Sequence, residues 1–235
     1  MTVTELADDL DISEVTIRRD LGELAEAGVL RRVRGGAVSV LMRGDGLPFA
    51  MRELDSADAK SRMGLAVAQA IRDGEAVAID SGTTGEAVAR SLVDRRLTVA
   101  PFSVQALMAL SASAAVNLVL PGGAVRSTEG SIIGPLAEAT LQNLRFDTAV
   151  LTCCGVSIQD GVMAHDIQDA SVKRAMLRAS RRVILVAEGA KFARSAMAVV
   201  CPLSAIDMLI TDESMPAELR EKVSADGIEV IVAKA

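Results

Sequence analysis

Two stretches of this sequence hold residue types that could do chemistry at short spacing. In AVAID-SGTTG-EAVARSL an apolar run ends in Asp80, passes through Ser81, Gly82, Thr83 and Thr84, and enters a helical pattern. α/β proteins hold phosphate in this way, with free backbone N–H groups and the positive end of a helix pointing at an anion. Gly82 lets the backbone approach closely, Ser81, Thr83 and Thr84 add hydroxyl donors, and Asp80 can accept from sugar hydroxyls at a strand's carboxyl end. An ordinary turn with threonine caps uses the same residues, so the pattern leaves both readings open. In the second stretch, DISEVTIRRDLGELAEAGVLRRVRGGAV, cations gather. Residues 28–43 hold Arg31, Arg32, Arg34 and Arg43 and no acid, whereas residues 1–14 hold Glu5, Asp8, Asp9, Asp11 and Glu14 and no base. The net charge of −6 therefore hides a basic patch that a polyanion would meet locally.

The elements that must position these residues can be read from capping and periodicity. Thr2 and Glu5, at capping-box spacing, open a short helix over 2–9. Asp11, Ile12 and Ser13 make a turn, and Ser13 caps a helix over 14–27 whose apolar stripe is Ile17, Leu21, Leu24 and Ala25. Gly28 stops it, and strands over 29–33 and 37–40 flank Gly35 and Gly36. Helix, turn, helix and arginine-bearing hairpin describe a winged helix-turn-helix, whose second helix enters the major groove. Ser13, Thr16, Arg18 and Arg19 are then free for DNA, and Arg31, Arg32 and Arg34 on the wing grip phosphate. A solvated helix followed by a charged turn would need no such partner.

Residues 41–56, with Gly44, Gly46 and Pro48, read as a linker. Beyond them helices over 57–72, 84–93, 103–111, 135–144, 169–180 and 216–224 alternate with strands over 76–79, 97–100, 116–119, 147–151, 183–187, 197–200, 206–210 and 228–232. Continuous apolar runs such as AVAI, TAVLT and VILVA are the pattern of strands covered on both faces, hence an open, mostly parallel Rossmann-like sheet. The domains are read as 1–43 for the winged helix-turn-helix, 44–56 for the linker and 57–235 for the α/β domain.

Composition narrows the function classes. The 235 residues suffice for one or two domains. Aromatics make up 2%, with neither Trp nor Tyr, which excludes base-stacking platforms. Three Cys and one His exclude a zinc finger and a disulfide framework, no cofactor is implied, and free thiols suit a reducing compartment, the cytoplasm. Residues 97–125 carry no charge, but Pro101, Ser103, Gln105, Ser111, Ser113, Asn117, Pro121 and the Gly122-Gly123 pair cut them into pieces too short for a membrane helix.

SEVTIRRDL, preceded by ELA and followed by RRVRGGAV, resembles the DeoR family of bacterial transcriptional regulators. The resemblance runs from residue 2 to 232 and takes in IDSGTT, LPGGAVRSTEGSIIGPLAE, LRFDTAVL, SVKRAM, RRVILVAEGAKF and SAIDMLITD. It implies a repressor that binds operator DNA, forms a homodimer or homotetramer, and senses a phosphorylated sugar on a fold of the ribose-5-phosphate isomerase-like type. By this resemblance Asp80, Ser81, Gly82, Thr83 and Thr84 form the effector loop, joined by Ser103, by Gly122 and Gly123 as a second close-approach loop, and by Lys173 and Lys191. Residue types alone also allow Lys173 to be a surface partner of Asp169, and Lys191 to be simply solvated. The family's pattern has a further helix ahead of ELADDL, so the DNA-binding domain is read as lacking its first helix. Phe102 stands where relatives have Asn, Glu188 where they have Asp, Met163 and Ala164 where they have Thr, and Cys153-Cys154 replaces a glycine-rich pair, which predicts a more apolar pocket. Two other functions remain open. One is a sugar-phosphate isomerase using Asp80, Asp147 or Asp166 as base, although no spacing compels the assignment. The other is an effector-binding or oligomerisation module whose DNA-binding region no longer works. His165 is read as a solvated loop residue, and Cys153, Cys154 and Cys201 as small buried ones.

Overall fold

The computed structural model of the chain describes residues 1–26, 30–39 and 49–234. The helix stop expected at Gly28, the strand ends at Val29 and Val40, Arg43 and the linker residues 41–48 lie outside them. Residues 1–54 and 55–235 are two compact units.

In the first unit, α1 (Val3–Leu10) starts with the capping box foreseen from its spacing. The Glu5 N–H donates to Thr2 Oγ1 at 3.2 Å and the Thr2 N–H donates to the Glu5 carboxylate at 2.7 Å. Ser13 caps α2 (Glu14–Glu26) by accepting from the Thr16 N–H at 3.2 Å. Val3, Ala7, Ile17 and Leu21 bury a small core, with Leu6, Leu30 and Ala37 packed on it. Leu24 and Ala25, expected on the same stripe, are only half-buried. β1 (Leu30–Val33) and β2 (Gly36–Ser39) form an antiparallel hairpin pairing Arg31 with Val38 and Arg32 with Ala37. The Val3 N–H donates to the Gly35 carbonyl at 2.9 Å, which ties the hairpin to the start of the chain. A short helix, α3 (Phe49–Leu54), occupies part of the expected linker.

The second unit follows the alternation read from the sequence. Its elements are α4 (Ala57–Ala70), β3 (Ala76–Ile79), α5 (Gly82–Ser91), β4 (Thr98–Pro101), α6 (Val104–Leu110), β5 (Asn117–Leu118), β6 (Ala124–Val125), β7 (Ile132–Ile133), α7 (Pro135–Asn143), β8 (Phe146–Leu151), β9 (Gly155–Ser157), β10 (Gly161–Ala164), α8 (Ile167–Ala179), β11 (Ser180–Val186), β12 (Ala198–Cys201), β13 (Met208–Asp212), α9 (Ala217–Ala225) and β14 (Glu229–Ala233). Seven strands make a parallel sheet in the order β14-β13-β11-β8-β3-β4-β5. Side chains alternate across it, as a strand's two-residue period requires. Val77, Ile79, Val150, Ile184 and Val186 pack with α4, α5 and α6 through Met63, Val67, Val88, Leu92, Ala106 and Leu110. Ala78, Ala149, Leu151, Val183 and Leu185 pack on the other face with α7, α8 and α9 through Leu141, Met176 and Val223. Apolar runs are obligatory in such strands because neither face meets water.

The β6–β7 hairpin, strands β9 and β10, and the 3₁₀ turns over Gly189–Ala193 and Leu203–Ala205 escaped the sequence reading, whereas β12, which pairs beside β10, is the strand expected over 197–200. Strand order reverses between β3 and β8, with β4 and β5 continuing on one side and β11, β13 and β14 on the other. A crevice outside the carboxyl ends of the two strands is the usual ligand position in an open sheet.

Gly85 sets how closely α5 sits over the end of β3, since a Cβ built there would lie 2.2 Å from the Asp80 carbonyl oxygen. Because that obstacle is backbone, we expect Gly85→Ala to cost about 1–3 kcal/mol and to lower the thermal transition by several degrees. Gly122→Ala, whose methyl would meet only ordinary contacts at 3.6 and 3.8 Å, should leave it unchanged. Equal transitions for the two variants would contradict the tight packing of α5.

Candidate functional site

Asp80 follows β3 at the point of reversal and is 1% exposed. Its Oδ1 accepts the Ser81 N–H at 2.7 Å. Its Oδ2 accepts the Thr152 N–H at 2.8 Å and the Lys173 ammonium. The Thr152 hydroxyl lies 2.9 Å from Asp80 Oδ2 and 2.8 Å from the Ser81 carbonyl, so its one proton serves either acceptor. Thr152 follows β8, so these bonds span the reversal. Lys173, on α8, is 2% exposed, which removes the surface-pair reading. One turn earlier, Asp169 lies 3.3 Å from the same ammonium and accepts the Ser81 hydroxyl at 3.3 Å. Asp166 caps α8 through the Asp169 N–H at 2.8 Å and stands 3.8 Å from Arg126, at the end of β6.

Burial acts most strongly on Lys173 and opposes its charge, yet Asp169 and then Asp80 outweigh it and hold its pKa above the ordinary lysine value. On Asp169 burial wins: its pKa is raised, although Lys173 pulls it down. One buried ammonium thus stands between two carboxylates.

Above this cluster Ser81 takes the N-cap position of α5 with extended backbone and makes no side-chain cap. Gly82 turns the chain at φ +89°, a conformation that disfavours any side chain. The first turn of α5 therefore presents its N–H groups without a side-chain acceptor at the cap, beside buried Thr83 and half-buried Thr84. Half-buried Lys191 sits in the 3₁₀ turn after β11 and acts electrostatically on Cys153.

The other residues singled out from the sequence fall differently. Ser103 is fully buried and spends its hydroxyl on the Ala106 N–H at 3.2 Å, capping α6. A Cβ on Gly123 would lie 2.8 Å from both Ile132 and Ile133, so the backbone there packs closely on β7, whereas Gly122 is exposed and has room. Phe102, Met163 and Ala164 are at most 2% exposed, and Phe102 and Ala164 belong to the α7–α8 core cluster. Their apolar character fills the core, which corrects the expectation of a more apolar pocket. His165 is half-buried, where a solvated residue was expected. Asp147, the second residue of β8, lies at the amino ends of the strands, accepting the Ala76 N–H at 2.9 Å, whereas Asp80 lies at their carboxyl ends, so the two cannot act together. Burial pushes the Cys153 thiol up to about 12 and that of Cys201 up to about 11, and it raises Cys154 as well, which keeps all three from being reactive thiolates. Cys153 and Cys154 are half-buried rather than buried.

Thr152, Asp169 and Arg126 were not singled out as site residues. The i,i+4 spacing of Asp169 and Lys173 was visible, but only packing shows that both turn inward.

In the first unit Arg18 and Arg19 are 54% and 71% exposed and, among the described residues, pair with acids of their own helix, Arg18 with Glu14 at 2.6 Å and Arg19 with Asp20 at 3.3 Å. Such exposed pairs are weak and can exchange for phosphate or base. Ser13 and Thr16 share a hydroxyl contact of 2.9 Å at the start of α2. Arg31, Arg32 and Arg34 are exposed along the hairpin.

Residues 1–42 match the DeoR-like helix-turn-helix domain and residues 55–213 the DeoR C terminal sensor domain. The chain belongs to the DeoR family of transcriptional regulators. This DeoR-family protein is 34% identical to the transcriptional repressor AccR of Agrobacterium fabrum, over 94% of its own length and 90% of the relative's. It is 33% identical to the HTH-type transcriptional repressor CsqR of Escherichia coli, over 99% and 89%. It is 30% identical to the glycerol-3-phosphate regulon repressor of Escherichia coli, over 98% and 91%. Among solved structures, ribose 5-phosphate isomerase A of Methanocaldococcus jannaschii superposes with a TM-score of 0.44 at 13% identity, over 58% of this chain and 55% of that enzyme. The full-length sorbitol operon regulator SorC of Klebsiella pneumoniae gives 0.37 at 14% identity, over 100% and 91%. Neither superposition is close enough to carry a statement about the site. No helix among the described residues is long and apolar enough to cross a membrane.

Lys173→Met would leave two buried carboxylates without their cation, and we expect a loss of about 3–5 kcal/mol at neutral pH. The sign of its pH dependence follows from linkage. A lysine whose pKa rises on folding contributes fully below its unfolded value of 10.5, and that contribution is lost as pH climbs through the folded value. Asp169, also raised, favours the folded chain more as pH falls, and without the ammonium it takes a proton more readily still. Denaturant titrations from pH 7 to 5 should therefore show the Met variant regaining stability relative to the parent chain. A constant difference over that range would contradict the buried cluster.

Proposed function

We propose that this DeoR-family regulator is a repressor whose operator affinity is lowered by a phosphorylated sugar bound at residues 80–84. The observation that carries this reading is the open N-terminus of α5, held over the strand reversal by the buried Asp80–Lys173 pair. The loop supplies N–H groups and hydroxyls to a phosphate, and Lys191 adds a cation from the turn after β11. Gly122, Gly123 and Ser103 shape the neighbouring loops. Arg18, Arg19, Thr16 and Ser13 read the major groove, and Arg31, Arg32 and Arg34 hold phosphates beside it. For effector to change DNA affinity it must bind two arrangements of the protein unequally, by about 1–3 kcal/mol for an ordinary allosteric coupling. The names of relatives, repressors of a glycerol-3-phosphate regulon and of an aga operon among them, support carbohydrate-linked control. The working form is a homodimer or homotetramer in the cytoplasm, matching palindromic half-sites.

DNA selected from a random library by the parent chain provides the operator probe. Arg18→Ala or Arg19→Ala should lower its retention by roughly ten- to a hundredfold, as loss of a bidentate contact does, and leave effector-induced thermal stabilisation intact. Arg32→Ala should weaken all sequences alike and reduce the salt slope of binding by about 1. Loss of both DNA retention and effector stabilisation in the Arg18 or Arg19 variant would contradict separate sites.

A further inference from the structure

Helix α2 presents an outward face whose chemistry changes along its length. Val15, Arg18, Arg19, Gly22, Glu23 and Glu26 recur at spacings of three and four, which places them on one side of the helix. Ile17 and Leu21 point the other way, into the core of the first unit. Val15, in the first turn, is 74% exposed, whereas the other apolar side chains of α2 are buried or half-buried. Beside it Arg18 is held in place. Its guanidinium donates to one oxygen of Glu14 at 2.6 Å, and the Thr4 hydroxyl of α1 donates to the other at 2.8 Å. Halfway along, Gly22 leaves room for Arg32 of the hairpin, whose Nη1 lies 4.0 Å from where a Cβ would stand. Glu23 and Glu26 close the face with exposed carboxylates. A polyanion is therefore attracted toward the start of α2 and repelled at its end, and among the cations it meets an apolar group.

We infer that Val15 is a specificity residue of the DNA-binding face and packs on the C5-methyl of an operator thymine, one or two base pairs from a guanine that Arg18 reads. This rests on the reading of α2 as the helix that enters the major groove, and extends it from cations, which any sequence attracts, to particular bases. The thymine methyl is the apolar group that the major groove offers, and an aliphatic side chain is what meets it. Valine has neither donor nor charge, so its place among the arginines serves no phosphate. Arg18 has part of its charge answered by Glu14 and gains less from a phosphate, whereas the free edge of its guanidinium still matches guanine O6 and N7. Side chains three apart on a helix have Cβ atoms about 5–6 Å apart, and base pairs rise by about 3.4 Å, which sets the separation of the two bases.

The test uses DNA selected from a random library by the full chain and then resynthesised with single base analogues. Deoxyuridine in place of thymidine removes the methyl and keeps the pairing, and 7-deazaguanine removes N7. Deoxyuridine at one thymine or more should weaken binding by the parent chain about three- to tenfold, the scale of one buried methyl group. Val15→Ser should bind the thymine and deoxyuridine forms alike, and Val15→Ile should keep the preference. Neither should shift the thermal transition of the free protein, because the side chain is exposed. The sensitive thymine should lie within two base pairs of the guanine whose 7-deaza form weakens binding by the parent chain but not by Arg18→Ala. A lowered transition in Val15→Ser with its thymine preference intact would mark a structural valine and overturn the inference. So would a parent chain indifferent to deoxyuridine at every thymine, or a sensitive thymine remote from that guanine. Failure of the parent chain to select any DNA would overturn the DNA-binding reading itself, and this inference with it.

Discussion

A carboxylate at the end of a central strand, shut away from water, is the constraint around which the sensor unit is built. Asp80 meets it with the Ser81 and Thr152 N–H groups and the Lys173 ammonium, each from a different element. Those partners fix β8 beside β3, bring α8 across the carboxyl edge and orient the chain as it leaves for α5. Gly85 lets α5 lie against the Asp80 carbonyl, and Gly82 makes the turn between strand and helix. A buried ion pair is a poor source of net stability, because desolvation offsets its attraction. Its value here is geometric: with both charges met by directed bonds, the loop above them has one place to be.

Much of this arrangement is legible in the sequence, for reasons that differ by element. The central strands show as apolar runs because both faces are covered, and β3 falls on the residues expected. Ser13, Thr2 and Glu5 cap where their side chains dictate, since capping is local. Short paired strands are not local. Residues 124–125 and 132–133 are too brief for a period to show, and β9 and β10 are defined by pairing that only the folded chain supplies, whereas β12 shows as an apolar run. The same limit applies to side-chain direction. Asp169 and Lys173 have the spacing of a surface pair, and it is α8 packing over the sheet edge that buries them. Phe102 shows the converse: set against the family's pattern it alters a pocket, whereas in the fold it fills the core.

The two units divide the physical work. Among the described residues the first buries Val3, Ala7, Ile17 and Leu21 and carries its cations on the outside, where salt-dependent attraction to a polyanion operates without burial. The second buries its charges and leaves helix N–H groups open, which suits a small anion held by direction rather than by bulk charge. An isomerase reading would need carboxylates for proton transfer. Asp80 is committed to the Ser81 and Thr152 N–H groups and the Lys173 ammonium, Asp147 lies at the amino ends of the strands and Asp166 caps α8.

The most direct test is thermal unfolding of the full chain across phosphorylated sugars, each beside its unphosphorylated partner. Ligand at about 100 times its Kd should add ~2.7 kcal/mol, a rise of roughly 5–10 °C for a chain of this size. The account predicts such a rise for at least one phosphorylated sugar and for none of the unphosphorylated partners. A rise with both members of a pair, or with no phosphorylated member, would contradict an anion site at residues 80–84.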